Sequence, residues 1–297
     1  MASSNKLTWV LLSLTASTSF ALIAPFAVLA EQAGLLPGYA VLYRYILLVA
    51  IATPLILLFA RHHFKFSRLQ FWLLILQSCS TAILNISYMA ALSFIPVSLT
   101  VIIFFISPLI TLMVAPFVFG GRLSPTRAVI FFVAFIGLIM VVGPQFSNLD
   151  PIGITLALIA AVTSVSQLLC MSKLAKEISP VALLYSVHTI AMFITFAIIG
   201  VAVSTGNMAA PIGLNLDMSF NFAAIVICYI CGYTLFTVVA KNLEPTTISL
   251  IANIEPVVTI SIAVIVLGEV LETQQIFGVT VVLGALIVGS LYREKQA

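Results

Sequence analysis

Charged residues are scarce in this sequence. Asp, Glu, Lys and Arg together make up 7% of the 297 residues, whereas hydrophobic residues make up 62%. Soluble domains contain about 25% charged and about 45–50% apolar residues, so the composition excludes an ordinary soluble fold. A net charge of +3 is also too small and too dispersed to indicate nucleic-acid binding. The sequence therefore predicts a protein that is embedded in a lipid bilayer.

The residues that metal, redox or catalytic sites need are equally sparse. All four cysteines lie inside apolar runs, and the only close pair, Cys228 and Cys231, has no His or second Cys pair with it. We interpret the four as packing residues and expect no cofactor. Neither a phosphate-binding P-loop nor an H-E-x-x-H motif nor paired carboxylates can be found. These absences disfavour an ATP-driven pump and an intramembrane enzyme.

Long apolar runs dominate what is present. A membrane-spanning helix needs about 20 mostly apolar residues, and ten such runs fit the chain. We predict ten transmembrane helices, here called spans 1 to 10, at Leu7–Ala30, Gly38–Ala60, Leu69–Ser93, Val97–Phe119, Thr126–Val142, Ile152–Ser172, Pro180–Ser204, Phe220–Ala240, Thr246–Leu267 and Thr273–Tyr292.

The basic residues are distributed asymmetrically over the loops between these spans. Lys and Arg in short loops mark the cytoplasmic side of a membrane protein. With both termini in the cytoplasm, eleven of the twelve basic residues lie on that side, and the opposite loops carry only acidic ones such as Glu31 and Asp150. The cytoplasmic set is Lys6, Arg61, Lys65, Arg68, Arg122, Arg127, Lys173, Lys176, Lys241, Arg293 and Lys295. This segregation supports the count of ten.

The chain also repeats itself. The segment that begins at Phe94 is matched by the segment that begins at Leu243, with Pro108 corresponding to Pro256 and Gly120 to Gly268. Each half, 1–148 and 149–297, contains five spans, and this odd number inverts the second half in the membrane. Inverted repeats are typical of secondary transporters with a site at the bilayer midplane. We predict an all-α membrane protein built from two inverted five-helix repeats around a central cavity.

Polar residues within the spans follow the same repeat. Thr81 and Asn85 of span 3 correspond to Tyr229 and Tyr233 of span 8, and Tyr88 extends the first stripe. Residues four apart share a helical face, so both stripes are expected to face the central cavity. For Ser and Thr residues, hydrogen bonds that hold neighbouring helices together are an equally good interpretation. A phenol or an amide needs partners that a tight, dry contact rarely supplies.

Three ionisable residues lie within the predicted spans, where burial is costly and function is the default hypothesis. Arg44 either contacts a substrate or extends to the membrane interface, and His188 is a substrate contact or a packing residue. Glu255, just before Pro256, is a site residue or a carboxyl group bonded between helices. The candidate substrate-binding set is Arg44, Thr81, Asn85, Tyr88, His188, Tyr229, Tyr233 and Glu255.

Taken together, these features resemble the drug/metabolite transporter superfamily, in its EamA-like branch. The resemblance covers essentially the whole chain, and it is carried by the two five-helix halves, by the paired prolines of spans 4 and 9, and by L-G-E-V-L at Leu267 to Leu271 before a glycine-bearing apolar helix. Two differences between the halves matter for function, because Gly121 stands where the second half has Glu269, and Ser107 stands opposite Glu255. The resemblance implies a bacterial inner-membrane exporter of amino acids, metabolites or toxic compounds.

The resulting hypothesis is a monomeric secondary transporter, not an enzyme, that exports small amphipathic metabolites, foremost amino acids including aromatic ones. Its partners would be a small-molecule substrate and the bilayer, with no nucleic acid. A multidrug or cation exporter is one alternative, and a carrier like those for sugar phosphates or nucleotide sugars is another.

Overall fold

The computed structural model describes residues 2–59, 64, 66–95, 97–120, 125–142, 150–210, 216–267 and 273–291. Over these ranges the chain forms twelve α-helices and no strand. The helices are α1 (Ala2–Gln32), α2 (Pro37–Phe59), α3 (Arg68–Ala91), α4 (Val97–Phe104), α5 (Ser107–Phe119), α6 (Pro125–Val142), α7 (Pro151–Leu174), α8 (Pro180–Ser204), α9 (Leu216–Ala240), α10 (Pro245–Ala252), α11 (Ile254–Leu267) and α12 (Thr273–Leu291). Several residues used in the sequence argument lie outside the described ranges, namely Arg61, Lys65, Arg122, Gly268, Glu269, Arg293 and Lys295.

Helix starts follow local capping signals. The Ser67 side chain accepts a hydrogen bond from the backbone N–H of Gln70, whose own side chain accepts from the Ser67 N–H, and this capping box begins α3. Asp150 caps α7 ahead of Pro151 in the same general way. Proline is suited to the first turn because the N–H that it lacks would have no partner inside the helix. These signals explain why the described ends lie close to the predicted ends.

Spans 4 and 9 differ from the prediction, because each is divided into two helices. Span 4 is interrupted at Phe105 and Ile106, and span 9 is interrupted at Asn253. Pro108 and Pro256 follow the two breaks, and each lacks the N–H that would bond to the carbonyl four residues earlier. Those carbonyls belong to Phe104 and Ala252, which are counterparts in the repeat. The structure thus shows an equivalent break in both halves.

The closest helix pairs each join one helix of the first half to one helix of the second half. α1 lies along α9, and α3 lies along α7. These two contacts are equivalent, because α7 is the counterpart of α1 in the repeat and α9 is the counterpart of α3. α2 packs on α8, and α6 packs on α12, so each of these pairs joins a helix to its own counterpart. This pattern is the two-repeat architecture that the sequence predicts. The largest buried apolar cluster joins α1, α2 and α3 to α7, α8, α9 and α10.

The outer surface of the bundle is apolar. Phe117, Phe220 and Ile265 expose 83%, 71% and 81% of their surfaces, which a water-soluble protein of this size would not leave uncovered. Five of the described helices, α1, α3, α7, α8 and α9, are long and apolar enough to cross a membrane. The chain is therefore a multi-pass membrane protein, and the count of ten spans stays a prediction.

Candidate functional site

A central cavity of about 170 Å³ lies between the two halves. Its described lining includes no residue of α6, α8 or α12, which are peripheral to it. Besides aliphatic side chains, the first half contributes Ser17, Phe20, Arg44, Asn85, Tyr88, Met89, Phe104, Phe105, Ser107, Pro108 and Thr111. The second half contributes Ser164, Gln167, Tyr229, Tyr233, Phe236, Ser249 and Glu255. The wall therefore combines aromatic rings with two side chains of opposite charge.

Arg44 extends from α2 into the interior of the bundle, not to the membrane interface. It is 1% exposed, and its Nη2 donates a hydrogen bond to Oδ1 of Asn85. The guanidinium carbon lies 4.1 Å from the centroid of the Tyr229 ring, a cation–π contact that stabilises the charge where water is excluded. Among the described residues, no carboxylate forms an ion pair with Arg44, and its Nε has no hydrogen-bond partner. Arg44 thus presents a fixed, uncompensated cation at the cavity.

A chain of amide and hydroxyl groups holds Asn85 in place. Nδ2 of Asn85 donates to the backbone oxygen of Thr81 at 2.7 Å, which leaves Oδ1 directed to Arg44. The Thr81 hydroxyl accepts a hydrogen bond from Nε2 of Gln167 at 2.9 Å, so α7 supports this part of α3. Thr81 is completely buried and does not line the cavity. Its observed contacts orient the neighbouring residues that do.

His188 lies behind the cavity wall and does not line it. Its Nδ1 is 2.7 Å from the backbone oxygen of Leu184, and its Nε2 is 3.0 Å from the hydroxyl of Tyr229. The ring meets that of Tyr233 edge to face, with centroids 4.3 Å apart. In these contacts His188 fixes two tyrosines, Tyr229 and Tyr233, whose rings do reach the cavity.

Glu255 lines the cavity from the first turn of α11, directly after the break in span 9. Its counterpart in the repeat, Ser107, lines the cavity from the corresponding break in span 4. Among the described residues, the Glu255 carboxyl group has neither an ion-pair nor a hydrogen-bond partner. Tyr88, packed edge to face on Phe104 with centroids 5.0 Å apart, lies within electrostatic range of this carboxyl group.

Six of the eight predicted site residues line this one cavity: Arg44, Asn85, Tyr88, Tyr229, Tyr233 and Glu255. Thr81 and His188 support it from behind, and the binding role of all eight stays a prediction. The candidate set omitted Gln167 and Ser107, although the repeat places Gln167 in a polar stripe and Ser107 opposite Glu255. The candidate set also omitted Phe104 and Phe105. Pro108 could have indicated them, because they lie at the helix break that this proline follows.

The two ends of the bundle are packed differently. α3 contacts α8 over a longer stretch than α9 contacts α2, and α5 packs on α10 whereas α4 and α11 scarcely meet. At the closely packed end, Nε2 of Gln70 donates to Glu177 at 2.9 Å, and Nη1 of Arg127 pairs with Glu244 at 2.9 Å. Both contacts join the first half to the second. The other end also has a hydrogen bond between the halves, from the Tyr39 hydroxyl to the backbone oxygen of Ala209 at 2.8 Å, so the difference between the ends lies in the helix packing.

Within the part of the chain that the structure describes, no group of three or more His, Cys, Asp or Glu side chains is arranged to hold a metal ion. A guanidinium group, a carboxyl group, amides, hydroxyls and aromatic faces converge on one cavity, as in sites for small organic molecules.

Comparisons with known proteins agree with this architecture. The sequence model of the EamA-like transporter family matches twice, over residues 7–143 and again over 151–291. A solved crystal structure is similar in fold, with a TM-score of 0.77 and 13% identity, over 95% of this chain and 96% of its own. No curated protein matches the sequence.

Proposed function

Because the chain belongs to the EamA-like transporter family, we propose that it is a secondary transporter that exports small amphipathic metabolites, foremost amino acids. The observation that carries this proposal is the cavity between the inverted halves, which combines Arg44 and Glu255 with aromatic walls. A carboxylate would meet the guanidinium group, and an apolar side chain would meet the rings of Phe20, Phe104 or Phe236. Aromatic amino acids suit such a lining.

Alternating access is the proposed mechanism. In an inverted repeat the two ends of the cavity are equivalent by symmetry, so closing one end and opening the other interconverts two related states. The contacts of α3 with α8 and of α9 with α2 are equivalent in the repeat. Their unequal packing supports this proposal, because alternating access requires one end of the cavity to be closed while the other is open. Spans 2 and 7, which begin near Pro37 and Pro180, are the proposed gates.

The proposed setting is the bacterial inner membrane, with ten spans, both termini in the cytoplasm and a monomer as the working unit. The support is the loop charge pattern of the sequence. On this topology the closely packed end, with Arg127 and Glu244, faces the cytoplasm.

Two other cargoes remain as alternatives, and each has a specific feature for or against it. A cation exporter is favoured by Glu255, which could attract a positive drug among the aromatic residues. A carrier for sugar phosphates or nucleotide sugars normally needs several converging Lys or Arg residues, and Arg44 is the one such residue in the described cavity lining. A zwitterionic cargo would give both Arg44 and Glu255 a partner of opposite charge.

A transport panel tests the proposal. The purified protein is reconstituted into liposomes, and flux is measured for labelled amino acids, sugar phosphates and cationic dyes, with and without a pH gradient. We expect flux of amino acids above that of empty liposomes, with phenylalanine among those transported. Flux of the dyes or of the phosphates alone would replace the proposed cargo with the corresponding alternative, and flux of none would reject transport of these classes.

A further inference from the structure

The cavity is lined by one basic and one acidic side chain, Arg44 and Glu255, that do not pair with each other. No ion pair joins Arg44 to Glu255, and among the described residues neither has an oppositely charged partner elsewhere. An ionised side chain that leaves water without a partner costs several kcal/mol, so a bound group of opposite charge would stabilise the ionised form of each. The protein does not supply these counter-charges, and a bound molecule can.

The contacts of Arg44 preorganise its guanidinium group to bind an anion. The hydrogen bond to Asn85 and the stacking on Tyr229 fix the guanidinium plane, and Nε is left without a partner. A guanidinium fork binds a planar carboxylate through two parallel hydrogen bonds, and fixing it beforehand removes the entropy cost of ordering it on binding. Arg44 is 1% exposed, so this side chain cannot reach bulk water for compensation.

Glu255 places an acidic side chain in the cavity, and the first half has no acidic residue at the equivalent position. The counterpart position holds Ser107, which the fold accepts equally well at the matching helix break. The acid is therefore not required by the architecture of the break. A partly buried carboxylate without a partner attracts an ammonium group.

We infer that the central cavity is selective for zwitterions, with Arg44 binding the carboxylate of the ligand and Glu255 binding its ammonium group. A ligand with a single charge satisfies one side chain and leaves the other buried without a partner, which weakens its binding. The inference rests on the proposed transport function and specifies how its cargo is recognised. With a volume of about 170 Å³ the cavity suits a small ligand, since a protein cavity of about 150 Å³ admits benzene.

Competition binding on the unmodified protein tests the inference without any mutation. The probe is labelled L-phenylalanine, bound to the purified protein in lipid nanodiscs. The competitors are 3-phenylpropionate, which lacks the amine, 2-phenylethylamine, which lacks the carboxylate, and phenylalaninamide, which keeps the amine but is not an acid. We expect all three to compete at least about tenfold more weakly than unlabelled phenylalanine.

Two variants test which side chain binds which charged group of the ligand. Arg44→Gln is expected to weaken phenylalanine binding and to remove the preference for phenylalanine over the amine. Glu255→Gln is expected to remove the preference for phenylalanine over the acid. Arg68→Gln and Glu31→Gln make the same chemical changes at residues that do not line the cavity, and they are expected to bind like the parent protein.

The inference is overturned if the acid or the amine competes as well as phenylalanine, or if phenylalanine does not bind. The liposome panel separates this failure from a failure of the proposed function. Flux of a dye or a sugar phosphate without phenylalanine binding leaves transport standing and removes zwitterion recognition. If a charge variant does not fold, the competition series on the unmodified protein still decides the question.

Discussion

The hydroxyl group of Tyr229 lies 3.0 Å from Nε2 of His188, and this contact joins α9 to α8 directly behind the cavity. The other ring nitrogen, Nδ1, lies 2.7 Å from the backbone oxygen of Leu184, which can only accept a hydrogen bond. Nδ1 therefore carries the proton, and in the neutral ring Nε2 accepts from the tyrosine hydroxyl. The orientation of the Tyr229 ring, and with it the face that Arg44 packs on, depends on this arrangement.

A double-mutant cycle on this pair measures its contribution to stability. His188→Phe removes the partner of the Tyr229 hydroxyl on α8, and Tyr229→Phe leaves Nε2 unpaired, so each single change is expected to cost roughly 1–3 kcal/mol. The double variant removes both partners and is expected to be less destabilised than the sum of the single changes. The measurement is unfolding in mixed detergent micelles. Strict additivity would show that the hydrogen bond contributes nothing.

The contact of α6 with α12 depends on a glycine. A Cβ atom at Gly137 would lie 2.9 Å from Cγ1 of Val281 and 3.1 Å from the backbone oxygen of Gly278, which cannot move away easily. Gly137→Ala is therefore expected to destabilise the protein by roughly 1–3 kcal/mol, because small residues let membrane helices approach closely.

A matched control is available on the partner helix. A Cβ atom at Gly284 would meet no atom within 4 Å, so Gly284→Ala is expected to change the unfolding free energy by less than about 0.5 kcal/mol. Both variants are compared in the same micelle assay. Equal effects of the two substitutions would contradict the close helix contact.

The proposed topology is open to cysteine labelling in a variant without the four native cysteines. Single cysteines at Asn148 and Asn215, which lie outside the described residues, and at Ser67 and Lys173 report the two sides of the membrane. We expect a membrane-impermeant maleimide to label the first two in intact cells and the other two only after permeabilisation. Labelling of Asn148 or Asn215 that requires permeabilisation would reject the ten-span topology.

Movement at the closely packed end can be blocked chemically. Arg127 belongs to the first half and Glu244 to the second, and their side chains meet at 2.9 Å. With cysteines at both positions, a short thiol-to-thiol linker is expected to lower flux severalfold, because the halves must separate here during alternating access. Reversal of the linkage should restore flux.

The control for this experiment joins two positions within one half. Ser93 donates a hydrogen bond to Glu31 at 2.7 Å, and both belong to the first repeat. Linking cysteines at these two positions is expected to leave flux near that of the unlinked protein. Equal inhibition by both linkages would indicate a general loss of flexibility, and inhibition by neither would contradict separation at the Arg127 end.

Glu255→Gln is expected to leave folding intact while lowering transport. The amide keeps the shape of the side chain and its hydrogen-bonding capacity, and Ser107 shows that the matching break tolerates a neutral residue. An amide cannot bind and release a proton, so the dependence of flux on pH should flatten. Flux is measured from acidic to mildly alkaline pH, beside expression and monodispersity, with Glu31→Gln for comparison. Parent-like flux across that range would make Glu255 a structural residue.

Much of the fold can be predicted from the sequence because the relevant signals are local. Apolar runs set the helices, and Ser67 and Asp150 mark helix starts. The breaks in spans 4 and 9 were not predicted, although Pro108 and Pro256 follow them directly. The spacing of the repeat pairs Thr81 and Asn85 with Tyr229 and Tyr233. The helices and their starts depend on a few neighbouring residues, and the repeat depends on similarity between the two halves of the sequence, so no tertiary contact is needed to identify them.

The tertiary structure alone decided which side chains meet in the cavity. In a membrane both the lipid-facing and the buried faces of a helix are apolar, so hydropathy does not fix the rotation of the helix about its axis. Packing between the halves turned Arg44 inward onto Asn85 and Tyr229, and it placed His188 and Thr81 behind the wall. The unequal closure of the two ends has the same origin, since nearly symmetric halves can pack in more than one arrangement and only the three-dimensional contacts select one.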